Sequence, residues 1–99
     1  MMATDELIRV ELICSSYSVE SSFIDSLYDL GLIEITIVDE NKFLEAQRIN
    51  DLEKMIRMHY DLDINLEGIE TISHLLNQIN RLHEEMNMLK NRLRFFENA

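Results

Sequence analysis

The last third of the chain carries an apolar stripe that recurs alternately every three and every four residues. Such spacing places the stripe at the a and d positions of successive heptads, with no polar residue among them, which is the pattern of a coiled-coil helix. We call these residues the seam, and they are Ile72, Leu75, Ile79, Leu82, Met86, Leu89, Leu93 and Phe96.

The seam predicts a homodimer, because the remainder of the chain is too small to cover it. A helix from Asn65 to Phe96 would be about 48 Å long at 1.5 Å per residue. A domain of this size buries only roughly 60–70% of its unfolded surface, and a long apolar stripe left in water indicates a binding partner. Ile69 and Leu76 lie off the seam, and we expect them to pack inward. Parallel and antiparallel pairing both remain open.

The first part of the chain predicts a helix-turn-helix. Residues 10–14 are expected to form a first helix and residues 15–17 a turn. Residues 18–30 then show helical apolar spacing, with Ser18 as the cap at the start and Gly31 as a left-handed residue at the end.

A small β hairpin, or wing, should follow. Ile33, Ile35 and Ile37 alternate with polar residues, residues 39–41 form a turn signal, and residues 43–44 could return as a second strand. Residues 7–8 could add a short strand. A third helix is expected over residues 45–60, and Asn65 is the predicted cap of the last helix.

These patterns predict a mainly α fold with two parts. Residues 1–64 would form a winged helix-turn-helix domain with a small β hairpin, and residues 65–99 a long C-terminal coiled-coil dimerisation helix.

The acidity of the chain is concentrated in its first half. Of a net charge of −10, residues 1–53 carry −9, from three basic and twelve acidic residues. Such a surface repels nucleic acid and attracts a basic protein surface. The charge of the first half therefore argues against nucleic acid as a partner.

The composition also predicts a cytoplasmic protein without a membrane span. Cys14 is the single cysteine, so it forms no internal disulfide. Asp5 and Glu6 stand where a signal peptide needs positive charge. No apolar run approaches the ~20 residues of a transmembrane helix.

Six segments of the chain form a recognisable series. They are VELIC at 10–14, Ser18 with Val19, DLGLIE at 29–34, RINDLE at 48–53, DLDINLEGI at 61–69 and INRLHEEMNMLKNRLRF at 79–95. These segments and the order of the elements resemble the MerR family, and most closely its chaperone-modulator branch, the CbpM type. A glycine is common in the turn before the second helix of that family, where this chain has Tyr17 and Ser18.

The resemblance implies a small dimeric modulator that binds and restrains a J-domain co-chaperone. The J-domain helix that such modulators contact is generally rich in Lys and Arg, which the acidic first half would complement. We therefore expect the partner-binding residues to be Glu20, Asp25, Asp29, Asp39 and Glu40.

The alternative is a MerR-family DNA-binding transcriptional regulator, since a helix-turn-helix places its second helix in the major groove. Residues 20–30 contain three acidic residues and no basic one, and the wing offers only Lys42. Several phosphate contacts cannot be assembled from one cation. Fold analogy alone does not establish this function.

No pattern predicts catalysis, a metal, a cofactor or a small-molecule substrate. His59, His74 and His83 are not paired at helical spacing, and Cys14 is distant from all three. A zinc site needs about four convergent ligands. Neither a nucleophile motif nor a glycine-rich phosphate loop is present in the sequence.

Overall fold

The computed structural model describes residues 6–98 and confirms the predicted mainly α winged helix-turn-helix with a long C-terminal helix. Residues 1–5 and residue 99, at the outer ends of the two predicted parts, lie outside the described residues. The elements are β1 (Leu7–Arg9), α1 (Val10–Tyr17), α2 (Ser21–Asp29), β2 (Thr36–Val38), β3 (Asn41–Glu45), one turn of 3₁₀ helix (Ala46–Arg48), α3 (Ile49–Tyr60) and α4 (Leu66–Glu97).

The turn between α1 and α2 differs from the prediction. α1 continues through residues 15–17, and Ser18 ends it in the left-handed conformation, with φ 55° and ψ 46°. Ser18 is therefore not the cap of α2, whose first residue Ser21 follows Glu20. The left-handed residue reverses the chain so that Val19, which is only 7% exposed, enters the core. Ser18 takes the conformation that a glycine adopts at lower cost.

The chain leaves α2 through Gly31, as predicted. Gly31 has φ 76°, and its N–H donates to the carbonyl of Tyr28 at 2.9 Å. The strand predicted from Ile33 begins only at Thr36. Ile33 is buried and Ile35 is half-buried, so both pack against the core from an irregular segment. Strand pairing starts only where β3 lies opposite.

The three strands form an antiparallel sheet in the order β1-β3-β2. Ile8 pairs with Leu44 on β3, and Leu44 is fully buried. Val38 pairs with Asn41 across a two-residue loop. Asp39 and Glu40 in that loop have φ 51° and 66°. Two positive φ values make this a type I′ hairpin turn, which matches the twist of the strands.

α3 begins later than predicted. Glu45, the expected first residue of the helix, is the last residue of β3 and lies opposite Leu7. The next residue, Ala46, donates its N–H to the carbonyl of Glu6 at 3.0 Å. These sheet contacts hold residue 45 in an extended conformation, so regular α-helix starts only at Ile49.

One hydrophobic core joins the helices to the sheet. The third helix turns the predicted apolar face, with Leu52, Met55 and Ile56, into this core. The buried residues of the core are Val10, Ile13, Val19, Phe23, Ile24, Leu27, Ile33, Leu44, Leu52, Met55, Ile56 and Ile69. The last of these comes from α4, so the core also anchors the start of the long helix.

Asn65 caps α4, as the sequence predicts. Its side-chain Oδ1 accepts a hydrogen bond from the N–H of Gly68 at 2.8 Å, which satisfies one of the free donors at a helix start. α4 then runs for 32 residues. Ile69 is its single buried residue within residues 66–98. We call residues 6–64 the head, and α4 extends well beyond it.

Glu40→Gly should stabilise the protein by about 0.5–1 kcal/mol, because a left-handed conformation strains any residue with a Cβ whereas glycine adopts it freely. Urea denaturation of wild type and variant measures the change in the free energy of unfolding. Glu40→Ala is the matched control, since it removes the carboxylate and leaves the φ strain. An equal gain from alanine would mean that charge repulsion, and not conformation, is the cause.

Candidate protein-binding surfaces

The seam lies almost entirely uncovered along α4. Ile72 is half-buried. The other seven seam residues are each 47–74% exposed. Leu76, which was expected to pack inward, is 41% exposed. It lines the rim of a groove of about 280 Å³ between α3 and α4. The seam as a dimer interface remains a prediction, and the single chain supplies nothing to cover it.

The outer face of α2 carries no basic residue. Asp25 and Asp29 lie four residues apart on this face, and Tyr28 beside them is 49% exposed. In a helix-turn-helix this face would meet DNA bases. Here it offers carboxylates, hydroxyls and one phenol, so it lacks the cations that bind phosphate groups.

Each basic side chain of residues 6–53 is held in an ion pair with a carboxylate of the same segment. The three basic side chains are 49–54% exposed, so these pairs offset the local positive charge without burying it. Measured from nitrogen to oxygen, they are Arg9 to Glu11 at 2.9 Å, Lys42 to Asp25 at 3.2 Å, and Arg48 to Glu34 at 3.3 Å.

The five predicted partner-binding residues occupy three places. Asp25 and Asp29 lie on α2, and the Lys42 contact draws β3 of the wing towards Asp25. Asp39 and Glu40 form the hairpin loop. Glu20 lies at the opposite end of α2, where it precedes the first residue of the helix. Four of the five are exposed and Asp25 is half-buried, so they form an interrupted surface and not one cluster.

A set of contacts that the sequence does not reveal lies beside Glu20. The hydroxyl of Tyr17 donates to Oε2 of Glu53 at 2.5 Å, across 36 positions of sequence. The N–H of Glu20 donates to the hydroxyl of Tyr60 at 3.4 Å. These bonds join the α1–α2 turn to α3. No local pattern could have predicted them, because the partners are distant along the chain.

An aromatic cluster supports the same junction. The ring of His59 stacks on that of Phe23, with 4.7 Å between centroids and 19° between planes. Tyr60 meets Phe23 edge-on at 5.4 Å. Nδ1 of His59 lies 2.9 Å from the carbonyl oxygen of Ile64. His59 therefore has a packing role at the end of α3.

Two side chains have a pKa above the ordinary value. The hydrogen bond to Glu53 raises the pKa of Tyr17 above its ordinary value of 10.0, and burial and the Glu53 charge act in the same direction. Burial, aided by the charge of Asp25, raises the pKa of the Cys14 thiol above 9.0. The thiolate is the reactive form of cysteine, so Cys14 is a weak nucleophile at neutral pH.

Two further searches concern residues 6–98 alone. No group of three or more His, Cys, Asp and Glu side chains is arranged to hold a metal ion within this part of the chain. None of its helices combines the length and hydropathy that a membrane span requires.

A family model described as MerR HTH family regulatory protein matches residues 8–91. This stretch includes the head from β1 onward and most of α4. No curated protein and no solved structure matches the chain.

Stability should fall as the pH rises above 10.0, and Tyr17→Phe should remove part of this fall. The unfolded chain releases the Tyr17 proton near pH 10.0, whereas the folded chain retains it to higher pH. The folded state then binds more protons, so raising the pH favours unfolding. Urea denaturation at a series of alkaline pH values measures the slope.

Glu53→Gln is the control for this pair, because it keeps a hydrogen-bond acceptor and removes the Glu53 charge, which is the smallest of the three causes of the raised Tyr17 pKa. We expect it to flatten the alkaline slope less than Tyr17→Phe does. Identical slopes in wild type and Tyr17→Phe would show that the Tyr17–Glu53 bond does not contribute.

Leu82→Glu combined with Leu89→Glu should give a monomer or an aggregate. Burial of one leucine side chain contributes roughly 1.5–3 kcal/mol, and a buried unpaired carboxylate adds a further cost. Sedimentation at micromolar concentration measures the mass. Asn80→Glu with Asn87→Glu adds the same charge off the seam and should leave the dimer intact. A monomeric wild type would contradict the seam interpretation.

Proposed function

The chain belongs to the MerR HTH family of regulatory proteins, and from that premise we propose that it is a homodimeric, non-enzymatic modulator that binds a J-domain co-chaperone. The observation that carries the proposal is the pairing of Arg9, Lys42 and Arg48 with carboxylates of their own segment. A helix-turn-helix whose α2 has no basic residue and whose wing has only Lys42, paired with Asp25, is poorly suited to DNA and well suited to a basic protein surface.

The homodimer is part of the proposal because the seam is exposed in the single chain. A two-fold dimer would use the same stripe on both copies. It would also present two acidic heads, so that two J-domains could be held at once or one held with higher avidity.

The J-domain as partner is supported by the resemblance to the chaperone-modulator branch and by charge. Complementary charges speed association and fix orientation more than they add affinity. Binding should therefore weaken as salt is added, since the Debye length falls from about 10 Å at 0.1 M to about 3 Å at 1 M.

The alternative is a DNA-binding regulator, which the family description itself favours. Cations suited to phosphate contact would then have to come from outside α2 and the wing. Lys54 and Arg57 on α3 are exposed, as are the four basic residues of α4. The helix that normally enters the major groove would still present Asp25 and Asp29 to the bases.

Asp29→Lys combined with Glu40→Lys should slow association with the J-domain protein of the same genome by about tenfold at low ionic strength. Asp25 is left in place because it holds Lys42 on the wing. Stopped-flow or surface binding at two salt concentrations measures the rate. Glu84→Lys with Glu97→Lys on α4 makes the same change in net charge and should have a much smaller effect.

Two results would contradict the proposal at different levels. If the reversed variant associates as fast as wild type at low salt, the carboxylates of α2 and the wing do not steer the J-domain to the head. If wild type does not bind the J-domain protein and forms a sequence-dependent complex with DNA at sub-micromolar concentration, the regulator alternative replaces the modulator.

A further inference from the structure

An exposed aromatic and apolar face borders the junction between the α1–α2 turn and α3. Glu53, Arg57 and Tyr60 are spaced by four and three residues along α3, so they share one face of the helix. Tyr17 reaches this face through its bond to Glu53, and Glu20 reaches it through its bond to Tyr60. The bonds fix the orientation of two phenol rings that remain in contact with solvent.

The rings belong to an apolar surface that the chain leaves uncovered. Tyr17 is 36% exposed, Tyr60 is 46% exposed and Leu62, just beyond the end of α3, is 65% exposed. We call these three residues the docking patch. Tyrosine is one of the residue types enriched among the anchors of protein interfaces, because it combines a large apolar ring with a polar tip.

Acidic residues border the docking patch by hydrogen bond or in sequence. Glu53 bonds to Tyr17 and Glu20 bonds to Tyr60. Asp61 and Asp63 flank Leu62 in the sequence, and Arg57 is the basic residue on the α3 face that carries Glu53 and Tyr60. Oε2 of Glu53 accepts the Tyr17 hydrogen bond, whereas Oε1 has no hydrogen bond or ion pair to any of residues 6–98. A carboxylate held by one oxygen is pre-oriented to accept a guanidinium N–H with the other.

The rest of the acidic surface is less complete as a binding site. On α2 the carboxylate of Asp25 is already paired with Lys42. The comparable aromatic residue there is Tyr28, 49% exposed, and no described hydrogen bond of its hydroxyl fixes its ring. Tyr28 thus serves as an internal reference, because it reports on the surface of α2 and the wing while Tyr17 and Tyr60 report on the docking patch.

We propose that the docking patch is the centre of the surface that receives the basic helix of the partner. An Arg side chain of that helix stacks on a tyrosine ring and donates to Glu53, and an apolar residue of the same helix covers Leu62. Stacking of a guanidinium on an aromatic ring adds cation–π attraction to the charge pairing. This inference rests on the proposed function, because it names where the J-domain binds.

The chain has three tyrosines, two in the docking patch and one outside it, so their ring signals in a nuclear magnetic resonance spectrum report on the site directly. The full chain is labelled on tyrosine and titrated with the J-domain protein of the same genome. The ring signals of Tyr17 and Tyr60 should shift or broaden, and those of Tyr28 should not.

Substitutions test the same site by affinity. Tyr17→Ala and Leu62→Ala should each weaken J-domain binding by about tenfold, as loss of an interface anchor does. Tyr28→Ala is the matched control and should change the Kd by less than about twofold. Tyr60 is kept, because it also packs on Phe23 and bonds the Glu20 N–H. Tyr17→Phe keeps the ring, loses the Glu53 bond and should have an intermediate effect.

The outcomes separate this inference from the proposed function. If wild type binds the J-domain but Tyr28 shifts while Tyr17 and Tyr60 do not, the docking patch is wrong and the modulator function stands. Equal affinities of Tyr17→Ala, Leu62→Ala and wild type would lead to the same conclusion.

If wild type does not bind the J-domain, the proposed function fails and the patch is tested with another probe. An amphipathic helical peptide with Arg along one face is compared with the same peptide carrying Gln in place of Arg. Shifts of Tyr17 and Tyr60 with the Arg peptide alone would support a site for a basic helix. No shift with either peptide would overturn it.

Discussion

The uncovered apolar face of α4 constrains this protein more than any other feature. The helix is 32 residues long, and the core of the head includes Ile69, whereas Ile72 is only half-buried. Every later seam residue faces water in the single chain, although burial of each would contribute roughly 1.5–3 kcal/mol. A second copy of the same stripe would supply that burial symmetrically. On this interpretation the length of α4, its cap at Asn65 and its polar-free seam all serve one interface.

The second constraint is the distribution of charge in the head. Its sheet and helices build the shape of a nucleic-acid-binding module, but the cations of residues 6–53 are bonded to carboxylates of the same segment. Exposed pairs of this kind add little stability, typically about 0–1 kcal/mol each. The uncompensated negative charge comes from the excess of acidic residues, since residues 1–53 hold three basic and twelve acidic residues. The shape of the head is typical of a DNA-binding module, whereas its negative charge opposes DNA binding, because affinity for the phosphate backbone depends on cations.

The sequence predicts best what depends on neighbours along the chain. The helical structure of α4, the cap at Asn65 and the left-handed conformation of Gly31 each follow from local sequence patterns, and the structure confirms all three. Ser18 and residue 45 were assigned wrongly because tertiary contacts decide them: Val19 is drawn into the core and β1 holds the end of β3. The Tyr17–Glu53 bond joins residues 36 positions apart, so it lies beyond any local pattern.

Amide hydrogen exchange along α4 tests most directly whether a second copy covers the seam. Exchange is followed for residues 75–97 at high protein concentration and after dilution, with the amides of α1 and α3 as an internal reference. We predict strong protection of residues 75–97 that decreases on dilution, because association stabilises the helix by mass action. Protection in the head should change much less. Rapid exchange of residues 75–97 that is the same at every concentration would contradict the dimer.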